Sequence, residues 1–183
     1  MNLEYHSILN EIASVLNDSD FSEIDLFESN LISSKKIVVF GAGRVGFMMK
    51  SFSMRLNHLG KESYFLGDVN VPKIGSEDLV LIGSGSGNTS SVVNIAQVAL
   101  KHNIDIISIT ANPKSFIAEN SRLSILLNCP NKDTMDKNNL SKQPMTTLFE
   151  QSLFVLLDSL VLNLMRRMGQ TNELMLERHN ILE

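Results

Sequence analysis

Residues 78–89 read Asp78-Leu79-Val80-Leu81-Ile82-Gly83-Ser84-Gly85-Ser86-Gly87-Asn88-Thr89, or DLVLIGSGSGNT. The unbroken apolar run Leu79 to Ile82 is what a parallel strand covered on both faces requires. The small polar loop Ser84 to Thr89 comes directly after it, and Val92, Val93, Ile95, Ala96, Val98 and Ala99 then set a helical pattern. Strand, loop and helix start in this order make an anion cradle. Glycines let the backbone approach a ligand closely. The free N–H groups of the first helical turn and the positive end of the helix dipole face the same point. Ser84, Ser86 and Thr89 add hydroxyl donors. No Lys follows Gly87, so the loop lacks the G-K-[ST] ending of a nucleotide triphosphate loop. A phosphate on a small metabolite fits better. An ordinary Gly/Ser strand–helix turn fits the same residues, and the loop alone does not separate the two.

Outward from this stretch the chain alternates. Helical spacing is predicted over Leu3 to Leu16 and again over Phe21 to Leu31, with Phe21, Ile24, Phe27 and Leu31 on one face. Ile37 to Phe40 is the first strand, and Gly41-Ala42-Gly43-Arg44-Val45-Gly46 opens a helix stopped by Gly60. Tyr64 to Leu66 is the second strand. Leu79 to Ile82 is the third, Asp105 to Thr110 the fourth and Leu123 to Leu127 the fifth, with a short helix begun by Asn112-Pro113 before the last. A polar loop runs from Asn128 to Gln143, and a long helix from Thr147 to Met168 precedes a short tail helix ending by Arg178. Five strands alternating with helices predict an α/β protein, a five-stranded parallel sheet flanked by helices.

Composition narrows the partners. With 183 residues the length prior expects a single domain, 1–183. There are 16 basic and 20 acidic side chains, a formal net charge of −4, and no basic run longer than two residues, so no nucleic-acid surface is expected. The lone cysteine, Cys129, excludes an internal disulfide and suits a reduced, cytoplasmic setting, as a small apolar residue after a buried strand. The N-terminal MNLEYHSILNE lacks the pattern of a secretory signal. The most apolar stretch, Leu153 to Met165, is interrupted by Asp158, Ser159 and Asn163 and reads as too short for a bilayer.

The long C-terminal helix leaves almost no polar face: Leu148, Phe149, Leu153, Phe154, Val155, Leu156, Leu157, Leu160, Val161, Leu162, Leu164 and Met165 are all apolar. Such a helix must be buried on most sides. A domain of this size does not easily hide it together with an amphipathic N-terminal helix. Residues 1–34 and 147–178 are therefore expected to make subunit contacts with two-fold symmetry.

Gly41 to Gly46 also matches G-x-G-x-x-G after a strand, with Asp68 past the next strand where a ribose would be held. Taken alone this reads as a dinucleotide site. The hydroxyl-rich loop on the third strand, which a dinucleotide fold does not require, shifts the weight. Two anion-ready loops on neighbouring strands converge on one small phosphorylated ligand.

GAGRVG, then SMRLNHLG (Ser53 to Gly60), GSGSGNT, QPMTTLFEQSL (Gln143 to Leu153) and the terminal RHNILE together resemble 6-phospho-3-hexuloisomerase, of the sugar-isomerase (SIS) domain family. The resemblance runs from the first strand to the last residue. It implies the three-layer SIS fold and a tetramer, a dimer of dimers. It also implies interconversion of D-arabino-hex-3-ulose 6-phosphate and fructose 6-phosphate through an enediol(ate), with neither metal nor organic cofactor. By matching position it implies that Ser84, Gly85, Ser86, Gly87, Asn88 and Thr89 bind phosphate and neighbouring hydroxyls, and that Arg44 and Val45 meet the substrate. Glu150 would be the proton-transferring base, and His179 would reach an active site, a neighbour's by preference. On spacing alone Glu150 also fits a capping box, Thr147 as N-cap and Glu150 at the third helical position. Arg44 alone reads equally as a partner for an acid, and the methionines, Met145 included, as packing. The chain departs from the family pattern at Val45, Asp68, Val71, Thr146 and Ile181, which leaves open another sugar phosphate or a non-catalytic phosphosugar sensor.

Overall fold

The computed structural model describes residues 3–130 and 141–182. Residues 131–140, most of the polar loop expected over 128–143, and the terminal Glu183 lie outside the described residues. In chain order the elements are α1 (Tyr5–Asp18), α2 (Ile24–Ser33), β1 (Lys36–Gly41), α3 (Gly43–His58), β2 (Glu62–Phe65) and β3 (Leu79–Ser84). Then come α4 (Ser90–Lys101), β4 (Asp105–Thr110), α5 (Phe116–Asn120), β5 (Leu123–Leu126), α6 (Thr147–Arg167) and α7 (Asn172–Leu176).

The five strands form one parallel sheet in the order β2-β1-β3-β4-β5. Its centre is β3, every residue of which is buried, as its unbroken apolar run requires. Side chains alternate across the sheet. Leu79 and Leu81 join a core with α1, α2, α3 and α6, in which Phe27, Met49, Phe52, Phe149 and Leu153 are almost wholly enclosed. Val80 and Ile82 face the other way, onto Val92, Ala96 and Ala99 of α4 and Ile117 of α5. The α/β prediction holds in class, strand number and order along the chain.

From β1 the chain turns one way to β2, and from β3 the other way to β4. A crevice therefore opens beyond the carboxyl ends of β1 and β3, where an open α/β sheet binds its ligands. Both glycine loops leave the sheet there. Asp78 sets the start of β3, its carboxylate accepting from Lys36 N at 3.0 Å and Gly75 N at 2.8 Å.

Three local expectations are corrected. The short helix after β4 begins at Phe116, capped by Ser115 Oγ, which accepts from Ala118 N at 3.3 Å. Asn112 instead holds a turn, its Oδ1 accepting from Lys114 N at 3.1 Å, so Pro113 lies in that turn rather than opening the helix. The N-cap of α6 is Thr146, not Thr147, whose hydroxyl donates to Pro144 O at 2.7 Å. Finally, α6 spans 21 residues and is, by length and composition, long and apolar enough to cross a membrane, with 56% of its most apolar window buried inside the protein. Leu153, Leu157, Leu160 and Leu164 face the core, whereas Phe154, Val155 and Leu162 are exposed, Leu162 to 63%.

A polar clamp fixes α6 to α2. Glu28 is 1% exposed and accepts from Arg167 Nη1 at 2.8 Å and from Asn163 Nδ2 at 2.9 Å. Arg167→Ala strands a buried carboxylate, a change that costs about 3–5 kcal/mol when the charge stays enclosed. We expect a loss of about 3 kcal/mol, because water will reach part of the space that the guanidinium leaves. Glu28→Gln removes the buried charge itself and should cost less. Urea unfolding midpoints at one fixed protein concentration check this order; equal costs would contradict it.

Candidate active site

The two glycine loops and the start of α6 enclose a cavity of about 320 Å³. Its walls are Ala42 to Val45, Gly83 to Ser86, Thr89, Met145, Thr146 and Glu150. The helices α3, α4 and α6 all begin at this cavity, and none of their N-cap residues, Ala42, Thr89 and Thr146, makes a side-chain cap bond. First-turn N–H groups and dipole ends are thus directed at one volume, which favours an anion.

The β3–α4 loop is held from behind. Gly85 O accepts from Ala111 N at 3.1 Å and Thr110 Oγ1 at 3.3 Å, and Ser86 O accepts from Asn112 Nδ2 at 3.3 Å. Ser84 is buried, and its hydroxyl accepts from Gly87 N at 3.1 Å. Gly87 has φ +64°, and a Cβ there would meet Ser115 Oγ at 2.2 Å, so both conformation and space demand glycine. Of the expected phosphate contacts, Ser84, Gly85, Ser86 and Thr89 line the cavity and Gly87 shapes their turn. The Asn88 side chain is used elsewhere: its Oδ1 accepts from Phe116 N at 2.8 Å and ties the loop to α5. The geometry therefore gives Asn88 an architectural contact instead of a place in the cavity wall.

Across the cavity, Arg44 and Glu150 form an ion pair, Nε to Oε2 at 2.6 Å, with Arg44 57% exposed and Glu150 only 9%. Both readings of Arg44 meet here, since its acid partner is the proposed base. Thr146 Oγ1 donates to the other carboxylate oxygen, Oε1, at 3.3 Å. The capping-box geometry is absent, because the Glu150 carboxylate turns to Arg44 and Thr146. Val45 is buried in the core cluster and also borders the cavity.

Met145, expected in packing, is 77% exposed and adopts φ +56° at the cavity rim. Its part went unread because a left-handed backbone at Met carries no signal in the sequence. Cys129 is buried as expected, and burial pushes its thiol up to about 12.

The G-x-G-x-x-G loop has a packing explanation. A Cβ on Gly46 would lie 2.5 Å from Gly41 O, so the third glycine lets α3 sit against β1. Asp68, the candidate ribose ligand, is paired with Lys50 at 2.7 Å.

His179 is not in this cavity. Its ring lies 5.3 Å from that of His58, at the last residue of α3, and its Nδ1 is 3.1 Å from Asn180 O. Arg178 fastens the tail there, donating to His58 O at 3.0 Å and Gln170 Oε1 at 2.9 Å. The cavity is at the opposite end of α3, whose 16 residues span about 22 Å. Within one chain, His179 and Glu150 are held apart.

A parallel sheet with anion-ready loops at its switch point and a carboxylate facing them defines an α/β protein built to bind a small anionic ligand beyond its strand ends. The SIS domain model matches residues 30–157, and the chain belongs to that family. A Bacillus subtilis 3-hexulose-6-phosphate isomerase is 37% identical over 96% of this chain and 95% of its own. A Methanocaldococcus jannaschii 3-hexulose-6-phosphate isomerase is 33% identical over 89% of this chain and 86% of its own. A crystal structure from Methanococcus jannaschii, from which that same function was inferred, superposes with TM-score 0.84 at 32% identity, covering 98% of this chain and 99% of the other.

Proposed function

We propose that the chain is a 3-hexulose-6-phosphate isomerase, interconverting D-arabino-hex-3-ulose 6-phosphate and fructose 6-phosphate. The observation that carries this is the placement of the Glu150 carboxylate in one cavity with Ser84, Ser86 and Thr89. In this reading the phosphate sits at the N-terminus of α4, remote from the reacting carbons, and its binding energy holds the sugar in place. Glu150 removes the proton from C2; the C2–H electron pair forms the C2–C3 double bond and charge gathers on O3. Return of that proton to C3, with transfer of the O2 hydroxyl proton to O3, gives the 2-ketose. Arg44, displaced from Glu150 by the sugar, stabilises the developing oxyanion. A positioned base of this kind contributes about 10²–10⁴-fold.

The same reading makes the enzyme a cytoplasmic homo-oligomer built from one domain, a tetramer by family resemblance. Supporting an oligomer are the apolar side chains that α6 leaves exposed, Phe154, Val155 and Leu162. So does His179, which is too far from its own cavity and is assigned to a neighbour's. The test is a coupled assay that follows fructose 6-phosphate formed from hex-3-ulose 6-phosphate. Turnover that needs no added metal or nicotinamide supports the proposal. No turnover by the folded protein, while fructose 6-phosphate still binds, would favour the phosphosugar sensor instead.

A further inference from the structure

Glu11, on α1, is not part of the cavity wall but gathers three consecutive residues of the segment leading into it. Its Oε2 accepts from Ser141 Oγ at 2.7 Å and Gln143 Nε2 at 3.0 Å, and its Oε1 from Lys142 N at 2.8 Å. Ser141 Oγ also accepts from Gln143 N at 3.0 Å, so the carboxylate closes a compact turn. Bonds to an ionised acceptor are the stronger kind, and one carboxylate offers enough lone pairs for all three.

This turn leads into Pro144, then Met145 at φ +56°, then Thr146, whose hydroxyl reaches Glu150. A left-handed Met is unfavourable by itself and persists where neighbouring structure over-determines it. Here it is held from both sides, by the α6 start after it and by the Glu11 turn before it. Releasing the turn lets Met145 relax to ordinary backbone, and Thr146 and the Glu150 carboxylate move with it.

We infer that Glu11 is a positioning residue for the isomerase, a carboxylate clamp that sets residues 141–146 and through them the placement of the base. This rests on the isomerase reading for its catalytic consequence, but not for the clamp itself. Neither the Glu11 carboxylate nor its three partners line the cavity, and the segment they set meets it at Met145 and Thr146, not at the Ser84–Thr89 loop that would hold the phosphate. A misplacement of about 1 Å at a reacting group can cost about 10²-fold in rate.

The test compares the full-length protein with Glu11→Gln and Glu11→Ala in two arms. In hydrogen–deuterium exchange, Glu11→Ala should speed exchange across 141–150 and leave α3 and α4 protected as in wild type. In the coupled assay, Glu11→Ala should lose roughly 10²-fold in kcat with KM changed less than about threefold, and Glu11→Gln, which keeps one acceptor, should fall between. Unchanged exchange at 141–150 would overturn the clamp, and so would faster exchange spread evenly over the chain. Local loosening with wild-type kcat would overturn its role in catalysis. A wild-type protein without turnover would instead defeat the isomerase reading, and the exchange arm would still decide the clamp.

Discussion

Glu150→Gln is expected to lose at least about 10²-fold and up to about 10⁴-fold in kcat, the range of a positioned general base, while fructose 6-phosphate binds within about threefold of wild type. The two side chains have the same size, and Thr146 Oγ1 can still donate to the remaining carbonyl oxygen that replaces Oε1. Arg44 loses its charge partner but is 57% exposed, so water takes over its solvation and the fold is not strained. The proposed phosphate contacts, Ser84 to Ser86 and Thr89 at the start of α4, are untouched. A loss shared equally by kcat and kcat/KM marks an interaction made in the transition state. Calorimetry with fructose 6-phosphate and the coupled assay with hexulose 6-phosphate separate affinity from turnover. Turnover equal to wild type would remove Glu150 from the chemistry, and affinity lost together with turnover would mean that the pair with Arg44 shapes the cavity rather than catalyses.

Chain-local chemistry was legible before the fold was known. An apolar run between turn signals marked the buried central strand, and the SGSGNT loop between strand and helix marked an anion cradle, because both depend on residues a few positions apart. Gly46 was legible as the last glycine of G-x-G-x-x-G, and the structure supplies its reason, since a Cβ there would lie 2.5 Å from Gly41 O and push α3 off β1. Glu150 stood between cap and base, since Thr147-x-x-Glu150 satisfies a pattern that the backbone then declines by placing the N-cap at Thr146. Asn88 was placed in the phosphate site by the motif, yet its amide finds Phe116 N, a partner 28 residues away. The Glu11 turn joins residues 130 to 132 apart, and no local pattern announces such a contact. Distance in sequence, more than chemistry, marks where legibility ends.

That limit is sharpest for His179, and it sets the second large expectation. If each cavity takes Glu150 from one chain and His179 from another, two inactive variants should restore activity together. Glu150→Gln keeps His179, and His179→Asn keeps Glu150. Co-expressed with different affinity tags and purified through both, hybrids will contain some sites with both residues intact and others with neither. Random assembly at equal expression leaves about a quarter of the wild-type sites whole, whatever the number of subunits in a closed ring. The recovered turnover should approach about that fraction before selection for hybrids, against background for either variant alone. Simple mixing of the two purified homomers should remain inactive until subunits exchange. No single chain in the hybrid carries both side chains, so a site completed within one chain can regain nothing. Wild-type turnover by His179→Asn alone would place His179 outside the reaction. Two inactive variants whose hybrids stay at background would place it in its own chain's cavity, which requires the tail to cross the length of α3, away from the Arg178 contacts that fasten it beside His58.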